Sequence, residues 1–234
     1  MPFPERLRAK TADAPVEPAA APTVDHSDFD ALLSDYVDAG GRVDYAGLRG
    51  DGSRLDAYLA QLAAVDPDEL SSEERLAFYI NAYNAATLDL IVDNYPLASI
   101  TELDGGKPWD VERVELGGET YSLNQIENDL IRGRFDEPRI HFAVNCAAAS
   151  CPPLRAGAYT AERLDEQLDE QTRDFLTDPD YITVSGGEAR VSKIFDWYGA
   201  DFESVSAFIA RYREDVNQDT EIAFAEYDWS LNDQ

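Results

Sequence analysis

Apolar residues recur at helical spacing in five separate parts of the chain. The longest such pattern covers residues 72–95, begins after the possible caps Ser71 and Ser72 and ends before Pro96. Nearly every side of this helix is apolar, which predicts a helix buried in the centre of the fold. The other four patterns, shorter and amphipathic, predict helices over residues 27–37, 53–65, 121–135 and 160–177.

Alternating apolar and polar residues predict strands elsewhere. One alternating segment, residues 109–116, precedes a Gly-Gly pair, and another, residues 181–194, flanks a Ser-Gly-Gly turn typical of a hairpin. Alternation also predicts a strand over residues 140–145 and a final strand over residues 221–230. The expected fold is α+β, with N-terminal helices packed on a mainly antiparallel sheet that includes the 140–145 strand and the later hairpin.

The first 24 residues contain five prolines and an alanine-rich stretch without a core-facing period. We therefore expect residues 1–24 to form a flexible N-terminal arm. The remaining residues, 25–234, are long enough and apolar enough for a single α+β domain, since 44% of the chain is hydrophobic.

The chain is strongly acidic, with 47 Asp and Glu residues against 19 Lys and Arg residues and a formal net charge of -28. Such a surface repels nucleic acid and anionic membranes, so we expect neither as a partner. No run approaches the roughly 20 apolar residues of a membrane span, and the N-terminus lacks an apolar signal core. These features favour a cytoplasmic protein, and the dispersed acidic charge with scarce lysine is typical of a halophile.

Both cysteines and one of the two histidines lie within residues 140–154. A closed zinc site requires four ligands, and this segment offers only Cys146, Cys151 and His141, so we expect no metal. No glycine-rich phosphate loop occurs, and we expect no cofactor. A thiol near a histidine, with an acid or amide to orient the ring, instead indicates nucleophilic catalysis.

His141 is the stronger candidate for the general base, because His26 lies beside the predicted arm. Cys146 opens a small-residue turn whose N-terminal dipole would favour a thiolate. However, five residues of extended strand span about 16 Å, so the chain must reverse direction before a thiol can meet the ring. A reversal after Cys146 would favour Cys151 as the nucleophile, and both thiols are also suited to simple packing as small buried hydrophobes.

Two asparagines, Asn81 and Asn84, lie on one side of the long apolar helix. A buried amide without partners costs about 1 to 3 kcal/mol. Their side chains are therefore expected either to bind neighbouring loop backbone or to orient a catalytic imidazole or substrate carbonyl.

Several motifs in a fixed order resemble the family catalogued as domain of unknown function 547. They are VDYAGL, RLAFYINAYNAATL, SLNQIENDLIRGRF, HFAVNCAAASCPPLR, VSKIFDWYGADF and YDWSLN. The resemblance implies a papain-like or transglutaminase-like thiol hydrolase, in standard or permuted order, with a Cys-His-Glu set. Carried over by motif, the nucleophile is Cys146, the base His141 and the acid Glu127; a histidine common after that acid is replaced here by Asn128.

The leading hypothesis is thus a cysteine-dependent, peptidase-like hydrolase that cleaves an amide bond in a small peptide, with a glutathione-like substrate as a guess. In it, backbone N–H groups near Cys146 hold the oxyanion. The first alternative is a redox protein in which Cys146 and Cys151 cycle between dithiol and disulfide. The second is a non-catalytic binding module.

Salt adaptation makes a prediction of its own. If the acidic surface is adapted to concentrated salt, refolding yield should rise when salt increases from roughly 0.1 M to 1 M, where the Debye length falls from about 10 Å to about 3 Å. The yield is measured by circular dichroism after dilution from denaturant. A yield independent of salt would show an acidic protein of the ordinary kind.

Overall fold

The computed structural model describes residues 21–234, so the predicted arm lies almost entirely outside the described residues. Eight α-helices occur in this described part: α1 (Ser27–Tyr36), α2 (Tyr45–Leu48), α3 (Gly52–Ala63), α4 (Ser72–Asn94), α5 (Leu123–Gln125), α6 (Leu164–Thr177), α7 (Ile194–Trp197) and α8 (Val205–Ile209). Its strands are β1 (Val114–Leu116), β2 (Glu119–Tyr121), β3 (Ile182–Ser185), β4 (Glu188–Val191) and β5 (Glu221–Phe224). None of the helices within residues 21–234 is long and apolar enough to cross a bilayer.

The long helix α4 occupies the centre of the larger hydrophobic core, as its apolar pattern predicted. Its N-terminus is capped by Ser71, whose Oγ accepts a hydrogen bond from the Glu74 N–H at 3.2 Å. Seventeen of its 23 residues are buried, so the helix contacts other parts of the chain on every side. Helices α2 and α3 pack directly against α4, whereas α1 and strand β1 pack against α3.

The strands form two small sheets. Strands β1 and β2 make an antiparallel hairpin, and in the second sheet β3 pairs antiparallel with β4, which pairs parallel with β5. Both hairpins turn through a Gly-Gly pair with positive φ at each glycine, a conformation that L side chains rarely adopt. The mixed α/β class and both hairpins are confirmed, but the described strands do not assemble into the larger sheet that we expected.

The helix predicted over residues 121–135 begins as expected and then changes its geometry. A capping box between Ser122 and Gln125 starts α5. The chain then continues as a π-helical turn over Ile126–Arg132, a rare form that is frequent at functional sites. Glu127 lies in this turn and is buried.

The predicted strand over residues 140–145 is wrong. Pro138–Phe142 form a 3₁₀ helix, whose first turn is capped by the Glu137 carboxylate accepting the Arg139 N–H at 3.1 Å. Alternation suggested a strand with one solvent face, but the intervening residues His141 and Asn145 are buried as well. The segment therefore has no solvent face, and its backbone groups bind within the helical turn at Ile140 and to the Asn84 side chain instead of to a sheet neighbour.

This 3₁₀ segment lies between two hydrophobic clusters. Ile140, Ala143 and Val144 pack in the larger cluster around α4, whereas Phe142 packs in a smaller cluster with α6, α8 and the second sheet. The short segment is thereby held from both sides. Consequently, the histidine and the first cysteine extend from a stretch of backbone that is fixed by packing.

Asn84 supplies the polar contacts of the same segment. Its Nδ2 donates to the Ala143 carbonyl and its Oδ1 accepts from the Asn145 N–H, both at 2.9 Å. Asn81 binds the N–H and carbonyl of Tyr159 in the same manner at 2.9 and 2.8 Å. The side-chain amides of Asn81 and Asn84 thus supply hydrogen-bond partners to backbone groups of segments that lack regular secondary structure.

We expect Asn84→Ala to lower the free energy of unfolding by about 2 to 4 kcal/mol, because it leaves two buried backbone groups unpaired. The matched control is Asn94→Ala in the last turn of the same helix, where the side chain is exposed; its effect should stay within about 0.5 kcal/mol. Urea unfolding followed by circular dichroism measures both. Equal losses in the two variants would contradict the role given to Asn84.

Candidate functional site

A cleft with a volume of about 220 Å³ lies beside the segment that joins the two clusters. Four of the predicted site residues line it: Glu127, His141, Cys146 and Cys151. The structure thus brings together residues that the sequence places up to 24 positions apart. Asn81 and Asn84 are not among the lining residues, and they bind backbone as described above.

The two thiols lie in direct contact at the base of this cleft. The Sγ atoms of Cys146 and Cys151 are 3.0 Å apart, and both residues are free cysteines. The Cys146 N–H donates to the Cys151 Sγ at 2.9 Å, and the Tyr227 hydroxyl lies 3.2 Å from the Cys146 Sγ. Cys146 is half-buried, whereas Cys151 is only 5% exposed, so Cys146 is the more accessible thiol.

Their surroundings separate the two thiols in acidity. The Cys151 thiol donates a hydrogen bond that lowers the pKa of Cys146, and the Tyr227 hydroxyl and the Ala148 N–H act in the same direction. Burial raises the pKa of Cys151, and a negative charge on the neighbouring Cys146 sulfur raises it further. Cys146 is therefore the more acidic of the two thiols, and Cys151 is placed to donate a hydrogen bond to the Cys146 sulfur once that sulfur is ionised.

The backbone after Cys146 adopts a strained conformation. Ala147 has a φ of 63°, one of only two positive values among the non-glycine residues of the described chain. The C-terminal segment holds it there, since the Ala147 carbonyl accepts from the Asn232 N–H at 3.1 Å and the Ala149 N–H donates to the Ser230 carbonyl at 2.7 Å. These contacts fix the turn that presents the Cys146 sulfur to the cleft.

The backbone N–H groups around this turn already have partners. Three of them donate to side chains: Cys146 N–H to the Cys151 Sγ, Ala147 N–H to the Asn145 Oδ1 and Ala148 N–H to the Cys146 Sγ. The other three donate to carbonyls: Ala149 N–H to Ser230, Ser150 N–H to Asp228 and Cys151 N–H to Ala148. The oxyanion donors expected from backbone N–H groups are thus engaged in this state. Besides the Cys151 thiol, the side-chain group in hydrogen-bond contact with the Cys146 sulfur is the Tyr227 hydroxyl.

His141 contacts an acid other than the one the sequence suggested. Its Nε2 lies 2.7 Å from the Asp201 Oδ2, and Arg132 binds the same carboxylate through two nitrogens at 2.6 and 2.9 Å. The ring also stacks on Tyr198 with centroids 4.2 Å apart. The His141 Nδ1 is buried and has no hydrogen-bond partner among the described residues.

The charges around His141 define its protonation. Arg132 and His141 hold the pKa of Asp201 below its ordinary value, so this carboxylate is ionised and accepts the Nε2 proton. Burial lowers the pKa of His141 to about 4 despite the nearby carboxylate. At neutral pH the ring is therefore uncharged, with its proton on Nε2 and a lone pair on Nδ1.

Glu127 lies in the same cleft but reaches His141 only through Tyr198. Burial raises the pKa of the Glu127 carboxyl, while the hydroxyls of Tyr198 and Tyr83 oppose that shift by hydrogen bonding. Tyr198 in turn stacks on the imidazole. Glu127 thus fixes the residue that covers the ring, and Asp201 is the carboxylate that contacts the ring itself.

Comparison with known proteins is informative for part of the chain. Residues 67–176, just under half of the sequence, match the model of the family described as protein of unknown function, DUF547. We call these matched residues the DUF547 region. Neither the curated proteins nor the solved structures gave a match. The family resemblance is thereby confirmed for the three motifs within residues 67–176, RLAFYINAYNAATL, SLNQIENDLIRGRF and HFAVNCAAASCPPLR.

The DUF547 region contains Glu127, His141 and both cysteines, but several residues of the cleft lie beyond it. Sequence reasoning missed Asp201, Tyr198 and Tyr227. All three lie within two of the motifs that carry the resemblance, FDWYGADF and YDWSLN. Those motifs were the available signal. Within residues 21–234, no cluster of three or more potential ligands is arranged to hold a metal ion.

The thiol pair yields a prediction for alkylation. In the wild type, iodoacetamide should modify Cys146 before Cys151, with a pH midpoint below that of an ordinary thiol. Cys151→Ala should move the midpoint for Cys146 to higher pH because it removes a hydrogen-bond donor to the thiolate, whereas Cys151→Ser keeps a donor and should shift it less. Peptide mass spectrometry of samples quenched across a pH series measures both midpoints. Faster modification of Cys151, or an unmoved midpoint in Cys151→Ala, would contradict the assignment.

Proposed function

We propose that this protein is a cysteine-dependent hydrolase of amide or related acyl bonds. Cys146 is the nucleophile, His141 the general base and Asp201 the acid that orients the base. The observation that carries the proposal is the state of His141 in the cleft: one ring nitrogen is bound to a half-buried carboxylate and the other has no partner among the described residues. A Cys-His-acid site of the papain-like kind requires this arrangement, in which one ring nitrogen binds the acid and the other is available to accept a proton.

The choice of Cys146 over Cys151 follows from access and charge. Cys146 is half-buried in the cleft and its pKa is lowered, whereas Cys151 is buried and its pKa is raised. A thiolate must be both formed and reachable to attack a carbonyl carbon. Cys151 therefore supports the nucleophile as a hydrogen-bond donor.

The proton transfers follow from the tautomer of His141. With Nε2–H held by Asp201, the Nδ1 lone pair accepts a proton from the Cys146 thiol or, in the second half of the reaction, from water. The imidazolium that forms is stabilised by the Asp201 carboxylate at 2.7 Å. The Tyr227 hydroxyl, 3.2 Å from the sulfur, is the donor that we assign to the developing oxyanion.

A second candidate function rests on the contact between the sulfurs. At 3.0 Å, with one acidic and one weakly acidic thiol, the pair has the form of a dithiol that can be oxidised to a disulfide. Counting alkylatable thiols before and after reductant tests it. Two free thiols under all conditions would end this second candidate and leave the hydrolase proposal intact.

The hydrolase proposal is tested with an activated acyl ester and a set of peptide nitroanilides. Cys146→Ala should abolish turnover, and Asp201→Asn should lower kcat by at least about a hundredfold because the ring loses its orienting charge. Asp93→Asn, which alters an exposed carboxylate on α4 that does not line the cleft, is the matched control and should leave turnover unchanged. Circular dichroism confirms that each variant is folded. Full turnover by a folded Cys146→Ala variant would refute the proposal.

A further inference from the structure

One wall of the cleft is built from aromatic rings whose faces the proposed chemistry does not use. It comprises Trp109, Trp197, Tyr227 and Trp229, here called the aromatic wall. The chain has only three tryptophans, and all of them belong to this wall. They come from three distant positions in the sequence, so the fold gathers every indole of the protein at one place.

The other three rings of the aromatic wall pack around the Trp229 ring. The Trp229 ring lies 5.4 Å from Trp109, 5.8 Å from Trp197 and 4.6 Å from Tyr227, measured between centroids. Trp197 is 45% exposed, which is unusual for so large an apolar side chain. An indole that remains accessible beside a cleft, supported by further rings, is a surface prepared for a ligand.

The charge of the surroundings defines the kind of ligand. Among the residues that line the cleft, none is a lysine or an arginine, whereas Glu127 is a carboxylic acid. Each ring of the wall is also adjacent in sequence to an exposed carboxylate: Asp110, Asp196, Glu226 and Asp228. The nearest basic side chains, Lys193 and Arg132, are already paired with Asp196 and Asp201 at 2.7 and 2.6 Å.

We propose that the aromatic wall binds a cationic group, an ammonium or a guanidinium on an apolar stem, which lies over the indole rings beside Cys146. The faces of tryptophan rings attract cations, and tryptophan does so best among the aromatic side chains. The negative surroundings and the protein's net charge of -28 add to that attraction. As a statement about the substrate this inference rests on the proposed hydrolase function, but the binding site itself does not depend on that function.

This assignment disfavours a substrate of the glutathione type. Such a peptide carries two carboxylates, and the residues lining the cleft offer no lysine or arginine to pair with them. The favoured amide substrate therefore carries a basic or quaternary amine near the bond that is cleaved.

Intrinsic fluorescence gives a direct binding assay, because every tryptophan of the protein lies in the aromatic wall. The probes are choline and its neutral isostere 3,3-dimethylbutan-1-ol, with 3,3-dimethylbutanoate as an anion of similar shape. Choline should change the emission with a Kd at least about tenfold lower than that of the neutral isostere, and the anion should bind more weakly still. The assay uses full-length protein at one fixed salt concentration.

Variants of exposed aromatic residues show whether choline binds at the aromatic wall or elsewhere on the surface. Trp197→Ala should weaken choline binding by about tenfold, and Trp197→Phe should restore part of it because a ring face remains. Phe224→Ala, which removes an exposed aromatic ring that does not line the cleft, should leave the Kd unchanged. Equal binding of choline and the neutral isostere, or no change in emission with either, would overturn the proposal.

Binding is also measured with the Cys146→Ala variant. Choline should bind this variant with a Kd close to that of the wild type, since the aromatic wall is intact. If hydrolysis is never detected but choline still binds selectively, the hydrolase proposal fails and the cation site stands. If hydrolysis is detected and nitroanilides of basic residues are no better than neutral or acidic ones, the cation assignment fails alone.

Discussion

The structure depends on the hydrogen bonds made by the backbone N–H and carbonyl groups of a buried loop that has no regular secondary structure. Residues 143–151 carry both thiols, and apart from one isolated antiparallel bridge between Ala148 and Leu231 they have neither a helical ladder nor a sheet neighbour. Buried N–H and carbonyl groups without partners would cost about 1 to 3 kcal/mol each. The Asn84 amide, the Asn145 side chain and the C-terminal segment at residues 228–232 supply those partners. The reactive sulfur is therefore positioned by hydrogen bonds from elements distant in sequence.

The site is consequently assembled from two parts of the chain. The DUF547 region contributes the thiols, His141 and Glu127. The residues beyond it contribute Asp201, which fixes the tautomer of the imidazole, and most of the aromatic wall. A chain truncated after residue 176 would retain the nucleophile and the base but lose the orienting acid. The chemistry that we propose thus requires residues on both sides of that boundary.

Local patterns predicted the elements whose stability is local. The α4 cap, the Ser122 capping box and the two Gly-Gly hairpins follow from propensities that act within a few residues, and the structure has all of them. The 140–145 segment did not follow its alternation, because two hydrophobic clusters bury both of its faces. Asp201 was not predicted as the partner of His141, since 60 residues separate them and only the tertiary fold joins them. The pKa of each thiol, lowered by hydrogen bonds at Cys146 and raised by burial at Cys151, is likewise a property of the whole fold.

The central claim is that His141 is a neutral base with its proton on Nε2 and a lone pair on Nδ1. Nitrogen-15 NMR of the imidazoles at neutral pH tests it directly, and a chain with two histidines gives a simple spectrum in which His26→Gln assigns the signals. We predict the Nε2–H tautomer for His141 and a pKa of about 4 on acid titration. A proton on Nδ1, or a charged ring at neutral pH, would contradict the claim.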